Sequence, residues 1–416
     1  MGFKMERKKI IYVCRRFNTD RWGGTETVII ETAKQLMCRG YDVQIFTTKA
    51  LCKTEEEYVD GIKVRRFNYS LPWFGLSPVA KGTMLRKGGN LMSFSLLWAL
   101  LLEGNVSLIH LHSTHRIGAI GRTVAKLNRI PYVVSLHGGW FSVPQSEMVI
   151  IKEPFNNKLE WGKIFGFFLG SRRVMKDATV IICVGKKEAD AVENRLPYKR
   201  VEYLPNGVDL HRFTEVDGEL FRGKYEIAPE TKIILCISRI DYQKNQILLI
   251  KSFAEVCREN TNKLLVLIGS VTVPEYYKKI NELITDLRIE KKVILIPGLD
   301  PHDPLLFSAF KACNVFVLPS LHEPFGIVIL EAWAAQKAVI ASNLGGIVGF
   351  TENGHDCILV EPDNKGELTT AISKVLSDPE LTKKLATNGY RKANENFNWE
   401  TITEKLITLY GLEGKS

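Results

Sequence analysis

No apolar run in the 416-residue chain is long enough to cross a bilayer. The longest, Leu91–Gly104 (LMSFSLLWALLLEG), stops short of the roughly 18–20 residues that a membrane helix needs. The opening MGFKMERKKIIYVC lacks the apolar core of a secretory leader, and Glu6 stands where a myristoylated Gly2 would want Ser or Thr. The eight cysteines are scattered, with no CxxC pair and no histidines at zinc spacing. Most lie in apolar runs such as VIICVG and IILCIS, where a thiol behaves as a small hydrophobe. A reduced, cytoplasmic protein without a structural metal is the expectation. A GxGxxG fingerprint is missing, which argues against a dehydrogenase. No basic-aromatic RNA-binding consensus is present either, which argues against nucleic acid as a partner. Low-complexity tracts and internal repeats are also absent.

What is present is a globular composition, 45% hydrophobic and 25% charged, long enough for two domains of roughly 200 residues. Charge is divided unevenly. Residues 1–212 carry 33 Lys+Arg against 19 Asp+Glu, whereas residues 213–416 carry 23 against 27. Either this is ordinary solvated surface, or the first half meets something anionic: a membrane face or a phosphorylated substrate.

Short Val/Ile/Leu runs recur with helical patterns between them. In the first half they are 10–14, 42–48, 106–112, 131–138, 179–185 and 201–207. In the second they are 232–238, 263–269, 292–298, 314–320, 337–343 and 357–362. Such runs read as parallel strands buried on both faces, and two successive series as two doubly wound α/β domains. The join falls near PNGVDLHRF (205–213). Ligands of open parallel sheets bind beyond the C-terminal strand ends, and the unusual residues cluster there. Two sheets with those edges facing would place all of them in one cleft.

Five stretches carry chemistry. In WGGTE, Gly23 and Gly24 precede a helix and let backbone N–H groups approach a ligand, although a Gly-Gly turn is commonly only a turn. In SRIDYQKN, Arg239 and Lys244 suit a diphosphate, the alternative being two surface charges at a helix start. In HEPFGIVILEAWA, Pro324 keeps Glu323 out of the helix. Phe325, Gly326, Ile327 and Val328 then open that helix, with free N–H groups and a positive dipole end. Glu331, farther along, could accept hydrogen bonds from ribose hydroxyls; a capping acid and a surface acid are the bland alternative. His137 in SLHGGW follows an apolar strand and is either a satisfied core residue or a cleft residue. SNLGGI (342–347) supplies another glycine pair.

Taken in order, Gly23–Gly24–Glu26, His137, PNGVD (205–209), SRIDYQKN (238–245), HEPFGIVILEAWA (322–334), SNLGG (342–346) and FNWE (397–400) resemble the retaining glycosyltransferases of family 4, across essentially the full chain. The resemblance implies the GT-B fold of two facing Rossmann-like domains: 1–207 for the acceptor, 208–390 for the donor, and a C-terminal helix in 391–416 crossing back. It implies Arg239 and Lys244 on the donor diphosphate and Glu323 against the donor sugar. The N–H groups of Phe325–Val328 would bind hydroxyls and phosphate, and Glu331 the ribose. Gly23 and Gly24 would lie near the phosphates and acceptor, and His137 would touch the sugar. No metal or cofactor is implied.

One departure stands out. Val348 and Gly349 occupy the place where the family usually has Pro-Glu, and Cys357 replaces a later Gly. The expected activity is hexosyl transfer from a UDP-sugar, or next a GDP-sugar, to a glycan or lipid-linked acceptor hydroxyl, in glycan, glycolipid or glycoconjugate synthesis. The rivals are a sugar-nucleotide epimerase of the same fold and a non-catalytic nucleotide-sugar binder. The segment Pro78–Leu102 joins Lys81, Arg86 and Lys87 to the apolar run. It reads either as containing a buried core helix or as an edge resting on anionic lipid at the inner membrane face.

Overall fold

The computed structural model describes residues 7–19, 23–138, 158–259 and 262–412. The chain divides into two compact units, one of residues 1–205 with 402–416, the other of residues 206–401.

Unit 1 is built on an eight-stranded sheet in the order β3-β4-β2-β1-β5-β6-β7-β8. The strands are β1 (Lys9–Val13), β2 (Asp42–Thr48), β3 (Glu56–Val59), β4 (Ile62–Phe67), β5 (Val106–Leu111), β6 (Tyr132–Leu136), β7 (Val180–Cys183) and β8 (Val201–Tyr203). Neighbours run parallel except β3 and β4, an antiparallel edge hairpin turning at Asp60–Gly61. This hairpin corrects the expectation of a wholly parallel sheet. The central strands are apolar on both faces because helices cover both; β1 from Ile10 to Val13 and β7 are fully buried. The last helix, Trp399–Tyr410, ends on this sheet: the Tyr410 hydroxyl lies 3.0 Å from that of Tyr12 on β1 and 2.7 Å from His110 Nδ1 on β5.

Unit 2 holds a six-stranded, all-parallel sheet in the order β11-β10-β9-β12-β13-β14. Its strands are β9 (Lys232–Ile237), β10 (Lys263–Ile268), β11 (Val293–Ile296), β12 (Val315–Leu318), β13 (Ala338–Ser342) and β14 (Ile358–Val360). The order runs outward in both directions from the β9–β12 pair, which is the doubly wound arrangement with its switch point there. In unit 1 the corresponding reversal lies between β1 and β5. All twelve strands read from the sequence are present, and each unit by itself has the doubly wound, Rossmann-like sheet expected of it.

The Leu91–Gly104 run is not a buried helix. It forms Phe94–Leu102, nine residues long, which buries Leu96 and Leu100 and leaves Phe94, Trp98 and Leu102 exposed. A separate helix, Pro78–Lys87, precedes it, N-capped by the Ser77 hydroxyl; Lys81 and Arg86 are exposed on it, while the Lys87 side chain lies outside the described residues. Among the described residues no helix is long and apolar enough to cross a membrane.

Candidate active site

The switch point of unit 2 gathers three of the sequence motifs because three neighbouring strands end there. β9 and β12 pair directly, with Ile234 opposite Val315, and β12 pairs with β13. Beyond β9 the chain makes the loop 238–245 before the helix Gln246–Glu259. Asp241 shapes that loop: its Oδ1 accepts from the N–H groups of Gln243 (3.1 Å) and Lys244 (3.2 Å), and its Oδ2 from the Thr272 hydroxyl (3.1 Å). The turn aims Lys244 at the neighbouring loop, where Nζ lies 2.6 Å from Glu323 Oε2 with both side chains about nine-tenths buried. Arg239 stays half-exposed, its Nη2 3.3 Å from Asp241 Oδ2 and 3.1 Å from Gln243 Oε1.

The loop after β12 is clamped from both sides. Gly326 adopts φ +99°, a left-handed conformation that favours glycine, and caps the helix Ile327–Ala334. The helix therefore starts at Ile327, later than the sequence suggested; Phe325 is a loop residue. The Phe325 ring is buried and stacks on Phe350 at 4.6 Å, so this residue can offer a ligand its backbone but not its side chain. On the far side, Gly346 packs so tightly that a Cβ there would stand 2.2 Å from the Glu323 carbonyl oxygen and 2.3 Å from that of Pro324. Val348 and Gly349 end the short helix Gly345–Val348, with Val348 exposed. Gly346 and Phe350 thus hold this turn against the Phe325 loop without the Pro-Glu pair.

Ile327–Ala334 starts beside Glu323, and its first N–H groups lack intrahelical acceptors and carry the positive end of the dipole. Glu331 sits one turn into that helix. Burial pushes its carboxyl up to about 7, with Arg212 pulling the other way. A carboxyl so poised gains from any ligand that hydrogen-bonds its charged form. Arg239, Lys244, Glu323, Gly326, Ile327, Val328 and Glu331 therefore lie on two adjacent loops and the helix that follows.

Unit 1 presents its own cluster. His137 follows β6 and His112 follows β5, and these strands pair with Leu111 opposite Val134. His112 Nδ1 and His137 Nε2 are 2.8 Å apart, their rings stacked at 5.1 Å. His110, two residues before His112 and so on the same face of the strand, packs its ring against that of His112 at 4.0 Å, tilted by 36°. His110 Nε2 meets the Ser135 hydroxyl at 2.7 Å. Burial lowers all three imidazoles, His137 to about 4, so the stack is neutral at pH 7. His112 Nε2 is buried without a hydrogen-bond partner among the described residues. Gly23 is the extended N-cap of the helix Gly24–Cys38, and its carbonyl accepts from Thr27 N–H at 3.0 Å. Glu26 in the first turn is buried, which raises its carboxyl, and lies 3.5 Å from Arg16 Nη2. Sequence reading passed over His112 and Asp241. The alternation His110-Leu111-His112 was the available signal for the first, and an Asp two residues before the Gln243 N–H for the second.

Comparison with known proteins follows the same division. A family model for glycosyltransferase family 4 matches residues 22–212, and one for glycosyl transferases group 1 matches residues 217–392. An uncharacterized glycosyltransferase of Methanocaldococcus jannaschii is 28% identical over 73% of this chain and 74% of its own length. The D-inositol 3-phosphate glycosyltransferase of Rhodococcus jostii is 25% identical over 93% and 84%. Among solved structures, the sucrose-phosphate synthase of Thermosynechococcus elongatus superposes with a TM-score of 0.73 at 20% identity, covering 98% of this chain and 99% of the other. The Anabaena protein HepE, solved with UDP and glucose, gives 0.72 at 20% identity, covering 98% and 100%. With both halves matched in order by the two models, the chain belongs to the family 4 glycosyltransferases.

Proposed function

We propose that the chain moves a sugar from a nucleoside-diphosphate donor, a UDP-sugar first and a GDP-sugar second, to an acceptor hydroxyl with retention of anomeric configuration and without a metal. The observation that carries this reading is the Lys244–Glu323 pair at the β9–β12 switch point, beside a helix N-terminus. Breaking the anomeric bond develops positive charge on the sugar and negative charge on the departing diphosphate. Lys244, Arg239 and the N–H groups opening the helix from Gly326 to Val328, together with that of Phe325, stabilise the diphosphate. Glu323 faces the sugar and Glu331 the ribose. His137 contacts the sugar as a neutral imidazole, and Gly23 and Gly24 approach the phosphates and acceptor. UDP in the HepE structures, with UDP-glucose in one of them, supports a uridine donor.

The acceptor is a glycan or lipid-linked hydroxyl at the cytoplasmic membrane face, in keeping with the basic surplus of the first half. Incubation with UDP-glucose or a GDP-sugar, following nucleotide release and the anomer formed, tests the reading. Epimerised sugar, or binding without turnover, would replace it with one of the two rivals.

A further inference from the structure

Unit 1 carries an apolar surface that donor chemistry does not use. On the helix Phe94–Leu102, Phe94 and Trp98 stand one turn apart on the face away from the core, 45% and 62% exposed. A second helix, Gly162–Phe168, buries only Gly162, which is pressed onto Pro72. Its Ile164, Phe167 and Phe168 are 63%, 81% and 78% exposed. Phe165 joins the two helices, its ring edge-on to Phe94 at 5.4 Å. Exposed aromatic area gathered in one place marks a binding face rather than ordinary surface.

The charges around it select the partner. Lys158, Lys163, Arg172 and Arg173 are all exposed on the segment carrying the second helix. Of the nearby carboxylates, Glu160 pairs with Arg116, and Asp177 pairs with Arg122 and, at 3.4 Å, with Arg173. This leaves Lys158, Lys163 and Arg172 as the cations of the face that no carboxylate among the described residues offsets. We propose that this face docks onto an anionic lipid bilayer, with Trp98, Phe167 and Phe168 entering the headgroup boundary and the cations meeting lipid phosphate. A second copy fits poorly, because a two-fold pairing of this patch would set the same cations against each other. The surface takes Phe94 and Trp98 from the Pro78–Leu102 segment, which the sequence left open between a core helix and a lipid edge. Its cations come from 158–173, brought alongside by the fold, rather than from Lys81, Arg86 and Lys87. It rests on the lipid-linked acceptor of the proposed function and names the surface that would reach it.

The test is co-sedimentation of the full chain with phosphatidylcholine vesicles, with and without phosphatidylglycerol, at low and high salt. The chain should bind the anionic vesicles at low salt. Phe167→Ser with Phe168→Ser, and separately Lys163→Glu with Arg172→Glu and Arg173→Glu, should each lower binding at least tenfold. Both sets lie on the surface, so melting temperature should hold; should one fail to fold, Trp98→Ser serves in its place. No binding by the unaltered chain, or equal binding by the variants, overturns the proposal. So does a dimer in solution that the Phe variants dissolve. Nucleotide release from a donor sugar, measured without vesicles, separates the two ideas. Release without vesicle binding sinks the surface alone, and vesicle binding without release sinks the transferase reading.

Discussion

Lys244 and Glu323, 79 residues apart in sequence, meet at 2.6 Å because β9 and β12 are neighbours and each hands its following loop to the same edge. Removing one partner leaves a nearly buried charge alone, which costs about 3–5 kcal/mol. Lys244→Ala should therefore lower stability as well as kcat/KM, the latter by tens to hundreds of fold through loss of leaving-group stabilisation. Replacing both residues, Lys244→Met with Glu323→Leu, should restore most of the stability and none of the activity. Chemical denaturation of the three variants beside their turnover checks this. Recovery of activity in the double variant would remove the pair from the chemistry.

Glu331 makes a pH prediction of definite sign. Its carboxyl is raised from 4.5 to about 7, so between those values the folded chain holds a proton that the unfolded chain has released. Its contribution to stability is complete below pH 4.5 and fades as pH rises through 7, by no more than about 3 kcal/mol. Glu331→Gln should therefore gain stability relative to the parent as pH rises across that window. A ribose bound to the carboxylate reverses the preference, so UDP should bind more tightly toward pH 7 in the parent and without that slope in the variant. Calorimetric titration at several pH values measures it. Under saturating donor, kcat of Glu331→Gln should stay near the parent value while KM rises.

The histidine stack gives the opposite slope. With His137 down to about 4 from 6.5, and His110 and His112 also lowered, the unfolded chain binds protons first as pH falls. The stack's contribution is full above pH 6.5 and is lost toward pH 4. Melting curves should show this loss shallower in His112→Phe. That variant also removes the hydrogen bond fixing the His137 ring, so kcat/KM should fall several-fold to about tenfold. A shallower melting slope with unaltered kinetics would make His112 purely structural.

Gly346→Ala tests the clamp on the loop that carries Glu323. A Cβ 2.2 Å from the Glu323 carbonyl must displace that loop, which should cost about 1–3 kcal/mol, or roughly 2–4 °C of melting temperature for each kcal/mol. Because the displaced segment carries Glu323, turnover should fall with stability. Gly354→Ala serves as a control of similar size: its Cβ would meet nothing within 4 Å, although its φ of +74° carries some backbone strain.

The parts legible in the sequence were those with continuous local signals. Every fully apolar strand announced itself, and HEPFG, with a proline before and a glycine at the cap, marked its loop. β3 and β4, the edge strand and its neighbour, escaped because both are half-polar, EEYV and IKVRRF, although Asp60 and Gly61 at φ 49° and 79° are a strong hairpin turn pair. The burial of the Phe94–Leu102 helix stayed open in the sequence for a different reason. Its composition is apolar all round, and only tertiary packing decides that Leu96 and Leu100 go inside while Trp98 does not. The link between His112 and His137 needed strand pairing, which no spacing along the chain reveals.

The most direct test of the account is nucleotide release from UDP-glucose and a GDP-sugar by the parent chain and by Lys244→Ala, with proton NMR of the sugar product as it forms. The account predicts turnover of at least one donor by the parent and a product whose anomeric configuration matches the donor. It also predicts a loss of tens to hundreds of fold in the variant. Inverted product, or equal turnover by parent and variant, would contradict it.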